Sequence, residues 1–156
     1  MLVIIDSCCD QTRETRIILT ELTNDNVSAS GNTIVENLSA LNSLINTKYE
    51  SQSYTELEQI NLVVSFETFA DLFTGLLSTA ESKDDILVSE GLKDPICSGF
   101  QGLGTSIQGF STNLENDITI YPKEIRRINA HAAGLLEEHL KVHGNLGEAM
   151  VAKIDE

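Results

Sequence analysis

The strongest periodic pattern in this sequence lies in residues 94–118, DPICSGFQGLGTSIQGFSTNLENDI. Its apolar side chains recur at intervals of three and four residues, at Ile96, Phe100, Leu103, Ile107, Phe110, Leu114 and Ile118. Such intervals place side chains on one face of an α-helix, because a helical turn holds about 3.6 residues. Asp94 and Pro95 stand before the pattern as an N-cap and a first helical residue. The segment therefore predicts a long amphipathic helix.

The same kind of pattern predicts four more helices on either side of this segment. We expect them at residues 2–23, 30–49 and 123–143, with a long third helix between a capping box at 53–56 and a polar break at 81–85. A short helical turn is expected at 86–92, and Gly144 is the expected C-terminal stop of the last helix. Two apolar stripes overlap on the third helix, so we expect it to lie centrally.

The architecture follows from this order of elements. No run alternates apolar and polar residues for long enough to predict a strand. Helices joined by short polar connections are typical of an all-α, up-and-down bundle, here of about five helices. Residues 1–156 form a single domain in this interpretation, with residues 145–156 as a frayed tail or a short docked helix.

Charge restricts the partners of the protein. The 156 residues contain 10 Lys and Arg against 24 Asp and Glu, which gives a formal net charge of −14. Such a surface repels phosphate backbones and anionic lipid headgroups, so nucleic acid and anionic membranes are poor partners. No run of 18 apolar residues occurs, and we predict no membrane span.

The cysteines and the N-terminal residues bear on the compartment. Cys8, Cys9 and Cys97 cannot form a disulfide framework, and the first two are interpreted as buried structural residues on the first helix. The opening residues lack the features of a signal peptide, so we expect a cytosolic protein or a mature secreted chain. Sequons at Asn26 and Asn37 are compatible with secretion.

Candidate catalytic and metal-binding residues are sparse. His139 and His143 have the spacing of two metal ligands on one helical face, but histidine is also favoured near a helix C-terminus, and that interpretation is preferred. No Glu-x-x-His pair, nucleophile elbow, phosphate loop or dinucleotide motif occurs. We therefore predict no metal, no cofactor and no enzymatic activity.

Four glycines interrupt the helix of residues 94–118, at Gly99, Gly102, Gly104 and Gly109. Each costs about 0.8–1.0 kcal/mol relative to alanine inside a helix, so together they need an explanation. One explanation is close helix–helix approach. The other is room for an apolar guest between this helix and the phenylalanines of the third helix. Both explanations stay open at this point.

The order of the segments resembles a known family. A long Leu/Val/Phe helix from Leu57 is followed by an acidic break, Ile86-Leu87-Val88, a Gly-Leu turn and a further apolar helix that ends before a proline. Ser30-Gly31 and the pattern Leu38-x-x-Leu41-x-x-x-Ile45 fit as well. This order resembles the fungal hydrophobic surface-binding and cell-wall galactomannoprotein family. The resemblance implies a secreted or cell-wall protein, with a cytosolic location as the alternative.

The resemblance also implies a function and a site. Members of the family form helical bundles around an apolar central cavity that holds fatty acids or other lipids. Carried over to this chain, the lining residues are Leu38, Leu41, Ile45, Phe66, Phe69, Phe73, Phe100, Leu103, Ile107 and Phe110. Ser106 and Ser111 flank this lining and are the candidate anchors for a lipid head group.

We therefore expect non-enzymatic binding of a long-chain fatty acid or similar small apolar ligand. The alternative is a helical interaction module with a filled core that acts through its surface as a coat protein, effector or inhibitor. A cavity larger than about 300 Å³ would favour the carrier. A filled core with an exposed apolar patch would favour the module. The sequence does not define an oligomeric state.

Overall fold

A computed structural model of the chain describes residues 1–48 and 50–143, apart from the side chains of Val142 and His143. Within these residues all regular structure is helical, which confirms the predicted fold class. The helices are α1 (Leu2–Thr20), α2 (Val27–Ile45), α3 (Glu56–Ser82), α4 (Asp84–Ser89), α5 (Lys93–Asp117) and α6 (Pro122–His143). The expected stop at residue 144 and the tail at 145–156 lie outside the described residues.

The five long helices form a closed ring. Helix α1 packs against α2 and α3, α5 packs against α2 and α6, and α3 packs against α6. The order around the ring is therefore α1, α2, α5, α6, α3. Lys83 Nζ donates to the carbonyl of Leu22 at 2.9 Å, which places the C-terminal ends of α3 and α1 together. Successive long helices run in opposite directions along the bundle, as in an up-and-down arrangement.

Two connections close the ends of the ring. Because α2 and α3 are not neighbours, the segment that joins them crosses one end of the bundle. We call this end, closed by residues 46–48 and 50–55, the loop end. Helix α4 lies at the other end, in contact with α2 and α5. It ends in a Schellman turn: Gly91 has a φ of +68°, and the Leu92 amide donates to the carbonyl of Leu87 at 2.9 Å.

That turn changes the start of α5 from the one predicted. The helix begins at Lys93, directly after the turn, with Leu92 in the N-cap position. The amide of Ile96 already donates to the Leu92 carbonyl at 3.1 Å. The prediction that Asp94 caps this helix is therefore wrong, and Asp94 lies in its first turn.

The capping box of α3 is real but lies two residues later than predicted. Thr55, not Ser53, is the N-cap, and its partner three residues on is Glu58. The Thr55 amide donates to Glu58 Oε2 at 2.8 Å, while the Glu58 amide donates to Thr55 Oγ1 at 3.4 Å. The sequence contains the same pattern twice, at 53–56 and 55–58, and local spacing alone could not choose between them.

Helix α3 takes one place in the ring and does not lie centrally, which corrects the prediction from its two apolar stripes. The stripe of Leu57, Ile60 and Val64 faces outward, with exposures of 67%, 37% and 55%. The other stripe is buried. Helix α3 is also the single helix within the described residues that is long and apolar enough to cross a membrane, by length and composition only. The core helix of a bundle passes the same test, so the membrane prediction stays a prediction.

Cys8 and Cys9 are buried on the inner side of α1, as predicted. Burial, with a smaller contribution from the neighbouring Cys9, raises the pKa of the Cys8 thiol to about 12. Burial likewise raises the pKa of Cys9. Both side chains are therefore uncharged thiols at neutral pH and pack as small apolar groups.

Candidate functional site

Five phenylalanines form a continuous row inside the ring. Ring centroids are separated by 6.1 Å for Phe110 and Phe66, 6.4 Å for Phe66 and Phe69, 6.4 Å for Phe69 and Phe73, and 6.2 Å for Phe73 and Phe100. These separations are those of aromatic rings in contact. We call this set the aromatic row. Its members come from α3 and α5, which are not neighbours in the ring, so the row joins opposite sides of the bundle.

The aromatic row contains phenylalanines from both sides of the predicted cavity, on α3 and on α5. The remaining predicted lining residues, Leu38, Leu41, Ile45, Leu103 and Ile107, are buried in the same core. Because Phe66 touches Phe110 and Phe73 touches Phe100, side chains of the walls themselves occupy the space between them at these points. A central cavity stays a prediction, and a guest there requires the rings to move apart.

The two serines proposed as head-group anchors have other partners. Ser106 lies between α2 and α5, where it donates to Asn42 Oδ1 at 2.6 Å and accepts from Asn46 Nδ2 at 2.7 Å. Ser111 is buried and donates to the carbonyl of Gln108 in its own helix at 2.9 Å. Such a bond within the helix is common for serine, and it occupies the hydroxyl hydrogen. Anchoring by either serine stays a prediction.

The four glycines of α5 divide between the two explanations. A Cβ at Gly99 would lie 2.9 Å from Leu38 Cδ1, and one at Gly104 would lie 2.2 Å from Leu136 Cδ2. Gly99 therefore allows α2, and Gly104 allows α6, to approach α5 closely. A Cβ at Gly102 or Gly109 would meet no atom within 4 Å. The missing side chain at these two positions leaves open space.

At Gly109 the open space belongs to a groove at the loop end. It has a volume of about 490 Å³ and lies between the C-terminal ends of α2 and α5. It is lined by Ile45, Asn46, Thr47, Lys48, Ser51, Gly109, Phe110, Asn113, Asn116 and Asp117. We call it the loop-end groove. Ile45 and Phe110 give it apolar surface, and its other side chains are polar. Through Phe110 the groove reaches the first ring of the aromatic row.

A second pocket, of about 390 Å³, shares residues with this groove. It is lined by Ser51, Gln52, Ser53, Tyr54, Gln59, Asn116, Asp117 and Thr119, and we call it the polar pocket. The hydroxyl of Ser51 donates to Asp117 Oδ1. Asp117 Oδ2 and the Tyr54 phenol oxygen are buried and have no hydrogen-bond partner in the described part of the chain.

Gln59 holds the polar pocket together and was missed by the sequence analysis. Its Nε2 donates to the Tyr54 carbonyl at 3.0 Å and to Thr119 Oγ1 at 3.3 Å. Its Oε1 accepts from the amides of Thr119 and Ile120 at 2.9 and 3.0 Å. This buried amide therefore ties the start of α3 to the connection between α5 and α6. A glutamine in the first turn of an amphipathic helix carries no sequence signal for such a role.

His139 of α6 is buried against side chains of α3 and α5. It is 3% exposed, its Nδ1 lies 3.0 Å from Glu81 Oε1, and its ring packs edge-on against Phe100 with centroids 5.5 Å apart. It thereby links α6 to α3 at the far end of the aromatic row. The side chain of His143, its proposed partner, lies outside the described residues. Across residues 1–48 and 50–143, no cluster of three or more His, Cys, Asp or Glu side chains is arranged to hold a metal.

No family model, no curated protein and no solved structure matches this chain.

Proposed function

We propose that this chain is a non-enzymatic binding protein for a single-chain lipid, which it takes up in the loop-end groove. The observation that carries the proposal is the position of Phe110, which lines the groove and also contacts Phe66 in the aromatic row. A volume of about 490 Å³ lies within the usual range of ligand sites, about 300–1,000 Å³. The lipid chain lies on Ile45 and Phe110 and enters the core by displacing the Phe110 ring from Phe66.

Apolar burial supplies the driving force. Each methylene moved out of water contributes about 0.8 kcal/mol, and the ordering of the ligand offsets part of the sum. The polar residues around the groove keep the head group of the lipid at the surface. This differs from an enclosed tunnel, because the ligand is held at one end of the bundle and only its chain reaches the core.

Gly109 offers a direct test, because a side chain there would occupy the groove without entering the core. We expect Gly109→Leu to weaken binding of a 16-carbon lipid at least tenfold. Gly102→Leu is the matched control, since it is the same substitution on the same helix, also into open space, but outside the groove. Binding is measured by calorimetric titration, after native mass spectrometry of the purified protein and identification of any extracted lipid. Equal binding by both variants would contradict the location of the site.

A surface-acting interaction module is the second candidate, and one observation favours it. Leu57, Ile60 and Val64 form an exposed apolar stripe on α3, in front of a core whose aromatic rings are in contact. A protein that purifies without lipid and takes up none, at concentrations where lipids are monomeric, would favour this module over the carrier.

A further inference from the structure

The outer face of α3 carries side chains at the spacing that a second helix would contact. Leu57, Ile60, Val64, Glu67 and Asp71 follow one another at intervals of three and four residues, and all five are exposed. Such a series runs along one side of a helix. Within the described residues α3 packs against α1 and α6, and this side faces away from the core. We call these five residues the outer seam.

The outer seam changes in character along its length. The apolar stripe of Leu57, Ile60 and Val64 forms its first half, and the carboxylates of Glu67 and Asp71 form its second half. Exposed apolar side chains that are grouped, rather than scattered singly, are typical of interaction surfaces. A partner must therefore offer apolar side chains for two helical turns and then groups that pair with carboxylates.

The charges of α3 define those groups. The helix contains five carboxylates and no lysine or arginine. Arg127 of α6 neutralises part of one edge, since its Nη2 lies 3.1 Å from Glu67 Oε1. Asp71, one turn further along, is exposed to solvent. The second half of the outer seam therefore attracts positive charge.

The guanidinium of Arg16 on α1 limits the length of this acidic part. Its Nε donates to Thr79 Oγ1 at 3.2 Å, and a Cβ at Gly75 would lie 2.9 Å from its Nη1. A positive charge thus follows Asp71 by one turn and repels a basic side chain at that level. The part of α3 that suits a partner runs from Leu57 to Asp71, which is about 21 Å at 1.5 Å per residue. A helix of about four turns matches this length.

Charge also distinguishes the candidate occupants of the outer seam. A second copy of the chain would bring a further net charge of −14 and the same carboxylates. Anionic lipid headgroups are repelled for the same reason. Residues 144–156 of this chain contain three carboxylates and one lysine, so they do not supply the complementary charge. A basic amphipathic helix supplies both the apolar face and the positive charge.

We propose that the outer seam docks a basic amphipathic helix of a partner protein. The apolar side chains of the partner pack on Leu57, Ile60 and Val64, and its lysines or arginines pair with Glu67 and Asp71. This inference goes beyond lipid binding and does not depend on it. The loop-end groove lies between α2 and α5, on the other side of the ring from α3.

The test uses two fluorescent helical peptides of about 15 residues with the same leucines on one face. One peptide has lysines at the remaining positions and the other has glutamates. Binding is measured by fluorescence anisotropy at pH 7.5 and about 0.15 M salt. We expect the lysine peptide to bind at least tenfold more tightly than the glutamate peptide. Leu57→Gln should weaken binding of the lysine peptide at least fivefold, and Asp71→Asn at least threefold.

Each variant has a matched control at the opposite end of the bundle. Val88→Gln replaces an apolar side chain of α4 that is 52% exposed, and Asp25→Asn removes the same charge as Asp71→Asn from an exposed turn. Neither control should change binding by more than twofold. All four side chains are exposed, so we expect the variants to fold. Equal effects of a variant and its control would refute the outer seam, because they would show attraction by the net charge alone.

Other results would overturn the proposal in different ways. Equal binding of the two peptides, or no binding of the lysine peptide, would remove the basic partner. A dimer in sedimentation velocity that Leu57→Gln dissociates would make the outer seam an interface between two copies. Flotation with phosphatidylcholine vesicles that Leu57→Gln abolishes would make it a surface for lipid. The proposed function is tested separately by Gly109→Leu, so the two proposals can fail independently.

Discussion

Replacing Gly104 with alanine puts a methyl group of α5 against Leu136 of α6, and the magnitude of the effect follows from the geometry. The new Cβ would lie 2.2 Å from Leu136 Cδ2, which is far inside van der Waals contact. Alanine gains about 0.8–1.0 kcal/mol over glycine in helix propensity. Overpacking costs about 1–3 kcal/mol. Because Cδ2 is the free end of the Leu136 side chain, which lines a pocket of about 310 Å³ together with Gly104, the leucine can turn aside and the cost lies in the lower part of this range. We therefore expect Gly104→Ala to lower the free energy of unfolding by about 0–1 kcal/mol.

Gly102→Ala is the matched comparison, two residues away on the same helix. Its Cβ meets no atom within 4 Å, so the propensity gain of about 0.8–1.0 kcal/mol is unopposed. In a chain of this size, a gain of about 1 kcal/mol raises the melting temperature by about 2–4 °C. Urea denaturation followed by far-ultraviolet circular dichroism measures both variants against the unmodified protein.

A double-mutant cycle with Leu136→Ala identifies the clash as the cause. Removing the leucine should be less costly in the Gly104→Ala background by about the overpacking energy, here about 1–2 kcal/mol. If Gly104→Ala stabilises the protein as much as Gly102→Ala does, or if its coupling to Leu136 stays below about 0.5 kcal/mol, then close approach is not the reason for glycine at position 104.

Two further predictions concern the loop end and the thiols. Gln59→Ala leaves the amides of Thr119 and Ile120 without their acceptor and removes four hydrogen bonds in all. At about 0.5–1.5 kcal/mol for each bond, it should reduce the free energy of unfolding by about 2–6 kcal/mol in urea titrations. A midpoint equal to that of the unmodified protein would contradict the structural role of Gln59. Because the pKa of Cys8 is raised to about 12 in the fold, against about 8.5 when exposed, the stability that its burial provides is present below about pH 8.5 and falls as the pH rises toward 12. A stability profile that is flat over this interval, or rapid labelling of Cys8 in the native protein, would refute its burial.

The sequence by itself determined the helices and most of the core. The apolar pattern of residues 96–118 predicted α5, and every one of its seven apolar side chains is buried. Phe66, Phe69 and Phe73 were likewise predicted to face inward, and they do. These predictions succeed because the period of a single helix sets which of its side chains share a face, whatever the helix packs against.

Predictions that depended on the boundary of one element were less exact. The capping box was placed two residues early, and Asp94 was assigned a cap that the chain does not use. In both cases the preceding connection decided the outcome: Thr55 is extended at the end of the loop, and Gly91 turns the chain directly into α5. Such turns depend on how the connection meets the rest of the bundle, which a local pattern does not contain.

Only the tertiary structure decided which helices are neighbours, and the candidate site depends on that choice. Placing α2 beside α5 brings Ile45 and Ser51 to Phe110 and Asp117, which lie more than sixty positions later in the chain. The neighbours of α5 also decide the role of its glycines: Gly99 meets Leu38 of α2 and Gly104 meets Leu136 of α6, whereas Gly109 meets no atom and leaves the groove open. The sequence does not reveal that Asp117 Oδ2 is buried and unpaired, because this depends on how the connection between α2 and α3 packs across the loop end. The physical reason is that periodicity fixes the inner face of each helix, whereas grooves and buried polar atoms arise from contacts between faces distant in sequence.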